Sequence, residues 1–206
     1  ALSGVDGENR LGPTRAIQSG EVSVKEMRIA VNLFSLLSLL SGIALLVLSF
    51  SSISGLFMLF LFVGLLAIAA AIKYTVGKNA YGYSGLGDIS VFIFFGIVGV
   101  MGSSYLFNQT VQFVNILPAV SIGFFAVGVL NLNNLRDIDN DARHGKNTLV
   151  VQFGKSWGKN YHYLLITLGW VMFFWFLTYT SSALINYLPF VLFPVFIVNL
   201  IAVKKH

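Results

Sequence analysis

The chain has 206 residues, of which 56% are hydrophobic and only 10% are charged, whereas soluble domains average about 25% charged residues. With a mean hydropathy of +0.81, the sequence excludes a soluble globular domain and predicts an all-α membrane protein. There are no cysteines, so disulfide bonds are excluded. The net charge of +5 does not indicate nucleic-acid binding, because Lys and Arg in membrane proteins chiefly set orientation.

The polar N-terminal region contains glycine and proline breakers and leads into six apolar segments. Ser23 and Glu26 have the spacing of an N-cap and its capping-box partner, so we expect a helix to begin near Val24. Each apolar segment has about the 20 residues that a helix needs to cross a bilayer. The segments cover residues 28–50, 54–73, 88–108, 113–132, 160–180 and 184–203.

The positions of the charged residues predict the topology of these segments. Every Lys, Arg, Asp and Glu lies near the start of the first segment or near the connections that follow the second, fourth and sixth. Because positively charged connections stay on the cytoplasmic side, we expect all the charged loops, and any site that they form, to face the cytoplasm.

The densest polar stretch directly follows the fourth segment. If the helix continues through it, Asp137 and Asp141 form an i,i+4 pair with Cβ atoms about 5–6 Å apart. Asn133 and Asn134 then share their face, and Arg136 points elsewhere. Two carboxylates this close repel each other, and a bound cation removes the repulsion. Carboxylate oxygens suit Mg²⁺, which is usually held by one or two carboxylates and by substrate phosphates.

Two basic residues that follow these carboxylates, Arg143 and Lys146, are suited to phosphate oxygens. The alternative is a solvated loop whose charges mark the membrane edge. A polar cluster at helix ends, beside an apolar interior, suits a lipid diphosphate with its head in the loops and its tail between the helices. Ion pathways usually place ionisable residues inside the spans, and the interiors of these segments contain none.

Motifs in three polar loops resemble those of a known protein family. The motif N-x-x-D-x-x-x-D begins at Asn134, and G-K-x-T-L follows at residues 145–149. Together they resemble the second aspartate motif of the UbiA superfamily of intramembrane aromatic prenyltransferases. Residues 4–20 resemble the tail of the first aspartate motif, and residues 73–96 are most similar to the menaquinone-pathway branch of the superfamily.

The resemblance implies a UbiA-type transmembrane helix bundle of nine spans, of which the six segments here correspond to the third through eighth. The first motif normally begins with an Asn-Asp-x-x-Asp run upstream of Asp6, and this chain does not contain that run. We therefore expect residues 1–206 to form a single transmembrane prenyltransferase domain and to be a fragment that lacks N-terminal and C-terminal spans.

Superfamily members transfer a prenyl group from an allylic diphosphate to an aromatic ring, with Mg²⁺ stabilising the leaving diphosphate. By this resemblance, Asp137, Asp141 and Asp6 are the metal ligands. Tyr74 hydrogen-bonds the diphosphate or faces the allylic cation, and its alternative role is an interfacial aromatic. Asp88 orients the phenol or takes a proton, and its alternative role is a helix N-terminal charge.

The resemblance also implies a set of diphosphate-binding residues, Arg15, Lys73, Lys146 and Asn134. For the basic residues, the alternative roles are topology signals and contacts with lipid headgroups. The resemblance implies that the prenyl donor is a polyprenyl diphosphate and that membrane lipid surrounds the protein.

The menaquinone branch implies 1,4-dihydroxy-2-naphthoate as the aromatic acceptor, loss of CO₂ and demethylmenaquinol as product, in a bacterial inner membrane. Other superfamily acceptors remain open: 4-hydroxybenzoate, homogentisate, chlorophyllide or a glycerol phosphate. A transporter or structural membrane module also remains open. A CDP-alcohol phosphotransferase is not favoured, because the sequence contains no Asp-Gly-x-x-Ala-Arg run.

Overall fold

The computed structural model describes residues 16–17, 19–77, 80–180 and 183–205. This part of the chain is helical and contains no β-strand. The α-helices are α1 (Val24–Ser49), α2 (Gly55–Thr75), α3 (Gly87–Val91), α4 (Gly102–Asn108), α5 (Ile116–Arg136), α6 (Ile138–Arg143), α7 (Leu149–Phe153), α8 (Lys155–Thr180) and α9 (Phe193–Lys205). Asp6 and Arg15, which the resemblance places in the site, lie outside the described residues.

Six stretches among the described residues are long and apolar enough to cross a membrane, which confirms the all-α membrane class and the number of predicted segments. Several helices extend beyond the apolar run: the fourth stretch ends at Arg136 and the fifth begins at Lys155. A hydropathy pattern underestimates the length of these helices, because the helical hydrogen bonds of the backbone continue into polar residues beyond the apolar run. The stretches are Val24–Ser49, Gly55–Thr75, Gly87–Asn108, Phe113–Arg136, Lys155–Thr180 and Leu184–Lys205.

The chain divides into two compact units. The first contains the described residues of Ala1–Gly87 together with Asp139–Thr148, and the second contains those of Asp88–Ile138 and Leu149–His206. Each unit is built around different helices, α1 and α2 in the first and α5 and α8 in the second.

In the first unit, capping side chains define where the two long helices begin. Ser23 Oγ accepts a hydrogen bond from Glu26 N, and Glu26 Oε2 accepts one from Ser23 N, so the predicted capping box is confirmed. Ser54 caps α2 by accepting from Phe57 N at 3.2 Å. The ring of Phe57 in α2 packs edge-on against Phe50, which lies in the connection between α1 and α2. The two ring centroids are 6.1 Å apart.

The second unit contains a span that is not uniformly α-helical. Phe92–Met101, between α3 and α4, is π-helical. A Cβ added at Gly96 in this segment would lie 2.6 Å from Ala119 O and 2.8 Å from Gly123 Cα. Glycines therefore allow the backbones of the π segment and α5 to touch, as small residues commonly do between membrane helices.

Helices α5 and α8 are joined by side chains that hydrogen-bond to glycine carbonyls. Ser121 Oγ donates to Gly169 O at 2.7 Å, and Asn131 Nδ2 donates to Gly158 O at 2.9 Å. Glycine has no side chain to shield its carbonyl, so a polar group on the facing helix can reach it. Inside a membrane such bonds hold neighbouring helices together.

Helix α8 also contacts α9, through one polar pair and a set of aromatic rings. His162, which is 1% exposed, has its Nε2 3.0 Å from Asn199 Oδ1. Trp170 packs against Phe193 and Phe196, with ring centroids 5.3 Å and 5.2 Å away. These rings border an apolar cavity of about 320 Å³.

Candidate active site

The helix that carries the second aspartate motif is interrupted inside the motif. Helix α5 ends at Arg136, and Asp137 is its C-cap, with φ −97° and ψ 9°. Asp137 N donates to Asn133 O at 3.0 Å, and the separate helix α6 then begins. The premise of one continuous helix through Asp137 and Asp141 was therefore wrong. Asn133 and Asn134 do not share a face either, because Asn133 is exposed and Asn134 is buried.

Arg136 forms a two-pronged ion pair with Asp137. Its Nε donates to Oδ1 and its Nη2 donates to Oδ2, both at 2.8 Å. The expectation that Arg136 points elsewhere was wrong, because the turn after α5 brings the two adjacent side chains together. A bidentate guanidinium–carboxylate pair is strong and geometrically specific. A cation that binds Asp137 must therefore compete with this guanidinium.

Asp141 has a basic partner of its own. The residue is 2% exposed, and Lys146 Nζ donates to its Oδ1 at 2.8 Å. The intervening turn is closed by Lys146 N, which donates to the Asp141 backbone carbonyl at 2.9 Å. Gly145 occupies the left-handed region at φ +69°, which glycine reaches without steric cost. The spacing D-x-x-x-G-K thus folds the lysine back onto the aspartate.

Tyr83 supports this lysine from the loop that follows α2. Lys146 Nζ lies 5.2 Å from the centre of the Tyr83 ring, a cation–π distance. Asn147 N donates to Tyr83 O at 2.8 Å. Tyr83 belongs to the 3₁₀ turn Tyr81–Tyr83 and was not among the predicted site residues. The Tyr-Gly-Tyr run beside the predicted site was the only sequence signal for it.

The same 3₁₀ turn packs against the end of α2. Tyr81 donates its hydroxyl hydrogen to Ala70 O at 2.8 Å, and its ring lies edge-on to Tyr74 at 5.5 Å. A Cβ at Gly82 would be 2.7 Å from Tyr74 O, so glycine is required there. Contacts therefore link Tyr74 through the turn to the lysine and aspartate of the second motif. Lys73 is exposed at the end of α2.

Asp88 lies in the second unit and has an aromatic partner that sequence reasoning did not identify. It is buried at the start of the third span, and the Tyr161 side chain of α8 lies near its carboxylate. Seventy-three residues separate the two positions. A hydropathy pattern carries no information on a pairing of this kind.

The family is decided by a comparison with known proteins, in which residues 4–205 match the UbiA prenyltransferase family. The chain belongs to this family. It is 46% identical over 185 residues to the 1,4-dihydroxy-2-naphthoate octaprenyltransferase of Haemophilus influenzae, covering 90% of this chain and 60% of the relative. It is 47% identical over 166 residues to the Escherichia coli protein of the same name, covering 81% and 54%.

More distant relatives carry the same name. The 1,4-dihydroxy-2-naphthoate octaprenyltransferase of Mycobacterium tuberculosis is 37% identical over 155 residues, covering 75% of this chain and 50% of the relative. The UbiA resemblance is thereby confirmed, and the chain spans about half the length of the curated relatives that it matches. No solved structure matches it significantly.

Each of the two carboxylates Asp137 and Asp141 is paired with a base in the described part of the chain. The described ranges hold no group of three or more His, Asp or Glu side chains placed to bind a metal ion. The donors nevertheless fit Mg²⁺, because both motif carboxylates offer the hard oxygens that it prefers. Only Oδ1 of Asp141 is bonded to Lys146, and its Oδ2 has no hydrogen-bond partner among the described residues.

Proposed function

We propose that the protein is a UbiA-family enzyme that transfers a polyprenyl group from an allylic diphosphate to 1,4-dihydroxy-2-naphthoate, with loss of CO₂, giving demethylmenaquinol. The observation that carries the proposal is the Gly145 turn, which places the Lys146 ammonium against the buried Asp141 carboxylate inside the second motif. Relatives at 46% and 47% identity bear the name of this activity. The activity is that of the complete natural protein.

In this reaction the C–O bond of the donor breaks, and its electron pair leaves with the diphosphate. A ring carbon of the acceptor bonds the prenyl carbon, and CO₂ departs with its bonding pair left on the ring. Bound Mg²⁺ supplies positive charge that stabilises the departing diphosphate. We assign Asp137, Asp141 and Asp6 as its ligands, with Asn134 beside them.

The ion pairs suggest how the basic residues take part. Arg136 and Lys146 each neutralise a motif carboxylate. If these carboxylates held a metal ion, the guanidinium of Arg136 and the ammonium of Lys146 would be available to the diphosphate oxygens.

The roles of the remaining site residues are assigned from the motifs in the polar loops. Arg15 and Lys73 add positive charge for the diphosphate, and Tyr74 faces the diphosphate or the allylic cation. We assign Asp88 to a hydroxyl group of the aromatic acceptor. The one-sided distribution of charged residues supports an orientation with the polar loops in the cytoplasm. The bacterial relatives support a location in the bacterial inner membrane.

A prenyl-transfer assay tests the proposal on the complete natural protein in detergent. A long-chain allylic diphosphate is offered with 1,4-dihydroxy-2-naphthoate or with 4-hydroxybenzoate, with and without EDTA. We expect prenylated naphthoquinol that is lost with EDTA and in Asp137→Ala and Asp141→Ala. Asp139→Ala is the matched control, because Asp139 is an exposed acid of the same helix as Asp141.

The outcomes separate the parts of the proposal. Turnover of 4-hydroxybenzoate alone would retain the transferase and overturn the acceptor. Turnover of neither acceptor by a folded protein that binds no diphosphate would overturn the transferase and favour a transport or structural role. Turnover that survives EDTA would contradict the metal assignment.

A further inference from the structure

The end of α9 lies against the start of α8, and this brings lysines together. Lys159 Nζ donates to the Lys204 backbone carbonyl at 3.4 Å. About one turn deeper, His162 Nε2 lies 3.0 Å from Asn199 Oδ1. These two contacts join the helices at this end. Lys159, Lys204 and Lys205 therefore lie at the same end of the α8–α9 pair.

Neither α8 nor α9 contains an acidic residue that could balance these lysines. Asp141 is the last acid of the sequence, so residues 142–206 contain Lys and Arg but no Asp or Glu. Lys204 and Lys205 are exposed, and Lys159 is partly exposed. Basic residues beside the ends of membrane helices attract anionic lipid headgroups. An anionic group bound here would meet no opposing charge from either helix.

Aromatic residues indicate the depth of this end in the membrane. Trp157 stacks on Tyr161 with ring centroids 4.8 Å apart, and Phe153 packs against Trp157 at the same distance. Trp and Tyr are enriched where a bilayer meets water. Because Lys159 lies on α8 between Trp157 and Tyr161, the stack places it at the level of the lipid headgroups.

The apolar cavity of about 320 Å³ lies between the same two helices. It is lined by Ile166, Trp170 and Phe174 of α8 and by Phe193, Ile197 and Leu200 of α9.

Both lysines lie on the helix faces that line this cavity. Lys159 precedes Ile166 by seven residues, and Lys204 follows Ile197 by seven, which is about two helical turns in each case. Leu200, at the near end of the cavity, is only about 6 Å from Lys204 along the helix axis. The positive charge and the apolar cavity thus form one continuous strip.

We propose that the α8–α9 pair binds one molecule of an anionic phospholipid, with its phosphate at Lys159 and Lys204 and an acyl chain in the apolar cavity. Ammonium groups suit phosphate oxygens, and an apolar lining suits a hydrocarbon chain. A prenyl diphosphate also has an anionic head and an apolar tail. However, a diphosphate binds with Mg²⁺, which carboxylates hold, and these two helices contain none.

The inference uses none of the residues that we assign to prenyl transfer and does not depend on that function. Lipid titrations of the complete natural protein test it. The delipidated protein in detergent is titrated with phosphatidylglycerol or with phosphatidylcholine of the same acyl chains, and native mass spectrometry counts the lipid molecules retained. We expect one phosphatidylglycerol to bind about tenfold or more tightly than phosphatidylcholine.

Removal of the two lysines should abolish this preference. Lys159→Gln combined with Lys204→Gln should weaken phosphatidylglycerol binding about 10- to 30-fold, because each lysine near a membrane surface contributes about fivefold. The matched control combines Lys25→Gln with Arg28→Gln, which removes the same charge from exposed positions of α1. It should leave the preference unchanged.

Two tryptophan substitutions test the position of the acyl chain. Ile197 lines the cavity, its neighbour Val198 does not, and both are exposed. Ile197→Trp should fill the cavity and weaken phosphatidylglycerol binding several-fold, whereas Val198→Trp should leave it unchanged. Unchanged binding in Ile197→Trp would overturn the inference, because another segment of the complete natural protein would then fill the cavity.

Two further measurements separate the proposed lipid from other occupants. In the unmodified protein, higher ionic strength should reduce the preference for phosphatidylglycerol, because salt screens exposed charges. A preference that is absent or independent of salt would overturn the inference without the need for any variant. A higher KM for the prenyl diphosphate in the Lys159 and Lys204 double variant would also overturn it, because the lysines would then serve the prenyl donor.

Discussion

The Lys146 ammonium lies 2.8 Å from the buried Asp141 carboxylate, which is five positions earlier in the sequence. Arg136 and Asp137, which are adjacent in the sequence, form a second such pair in the same motif. Both carboxylates of the second motif are therefore neutralised by bases encoded within a few residues of them. In the proposed reaction, the same bases would bind the diphosphate while the carboxylates would hold a metal ion.

Replacement of Gly145 tests whether the turn places Lys146. Its φ of +69° strains an alanine, and nothing lies within 4 Å of an added Cβ, so the effect arises from the backbone alone. We expect Gly145→Ala to cost about 1–2 kcal/mol of turn stability and to raise KM for the prenyl diphosphate several-fold. Steady-state kinetics with varied donor measure this.

Gly145→Asn is the matched control, because asparagine tolerates the left-handed region better than other residues. It should retain most of the affinity for the donor. Equal losses in the alanine and asparagine variants would show that the conformation at this position does not place the lysine.

Tyr83 tests the cation–π contact with Lys146. Tyr83→Leu removes the aromatic face beneath the ammonium, and a cation–π contact contributes about 0.5–2 kcal/mol. We expect KM for the donor to rise about three- to tenfold in Tyr83→Leu and to stay near its original value in Tyr83→Phe, which keeps the ring. If the phenylalanine variant loses as much as the leucine variant, the hydroxyl rather than the π face is responsible.

Replacement of Arg136 tests whether its guanidinium competes with Mg²⁺ for the Asp137 carboxylate. Because its guanidinium occupies both carboxylate oxygens, Arg136→Gln should make Asp137 easier for Mg²⁺ to bind. An exposed pair contributes about 1 kcal/mol at most, so the half-activating Mg²⁺ concentration should fall up to about fivefold. Titration of Mg²⁺ in the prenyl-transfer assay measures it.

The control for this titration is Lys155→Gln, which removes a positive charge from an exposed position of α8. It should leave the Mg²⁺ requirement unchanged. A higher Mg²⁺ requirement in Arg136→Gln would mean that the arginine assists metal binding rather than opposing it.

The sequence was sufficient for the features that depend on local patterns. The spans follow from runs of apolar residues, and the start of α1 follows from the Ser23–Glu26 spacing. The family membership follows from the motifs in the three polar loops. These features depend on composition and on residues a few positions apart, which a single sequence displays.

The features that the sequence did not predict depend on backbone geometry or on distant partners. The break in the helix at Asp137 brings the Arg136 side chain against the Asp137 carboxylate. The periodicity of a continuous helix had predicted that Arg136 points away from Asp137. Tyr83 meets Lys146, and Tyr161 meets Asp88, only after the chain has folded. Aromatic residues are abundant in such a chain, so composition does not distinguish these two from those that only pack.

The contact between the π segment and α5 gives a prediction for stability. A Cβ at Gly96 would lie 2.6 Å from the Ala119 carbonyl oxygen, which is backbone and cannot rotate away. Gly96→Ala should therefore push the two helices apart and destabilise the protein by about 1–3 kcal/mol, as overpacking does. A lower thermal unfolding temperature in detergent would report it.

Gly64→Ala in α2 is the matched control, because nothing lies within 4 Å of a Cβ at Gly64. Alanine is favoured over glycine inside a helix by about 1 kcal/mol, so this variant should unfold at the same temperature as the unmodified protein or slightly above it. The two substitutions are chemically identical and differ only in what the added methyl group meets. If Gly96→Ala were as stable as Gly64→Ala, the close approach of the π segment to α5 would not exist in the folded protein.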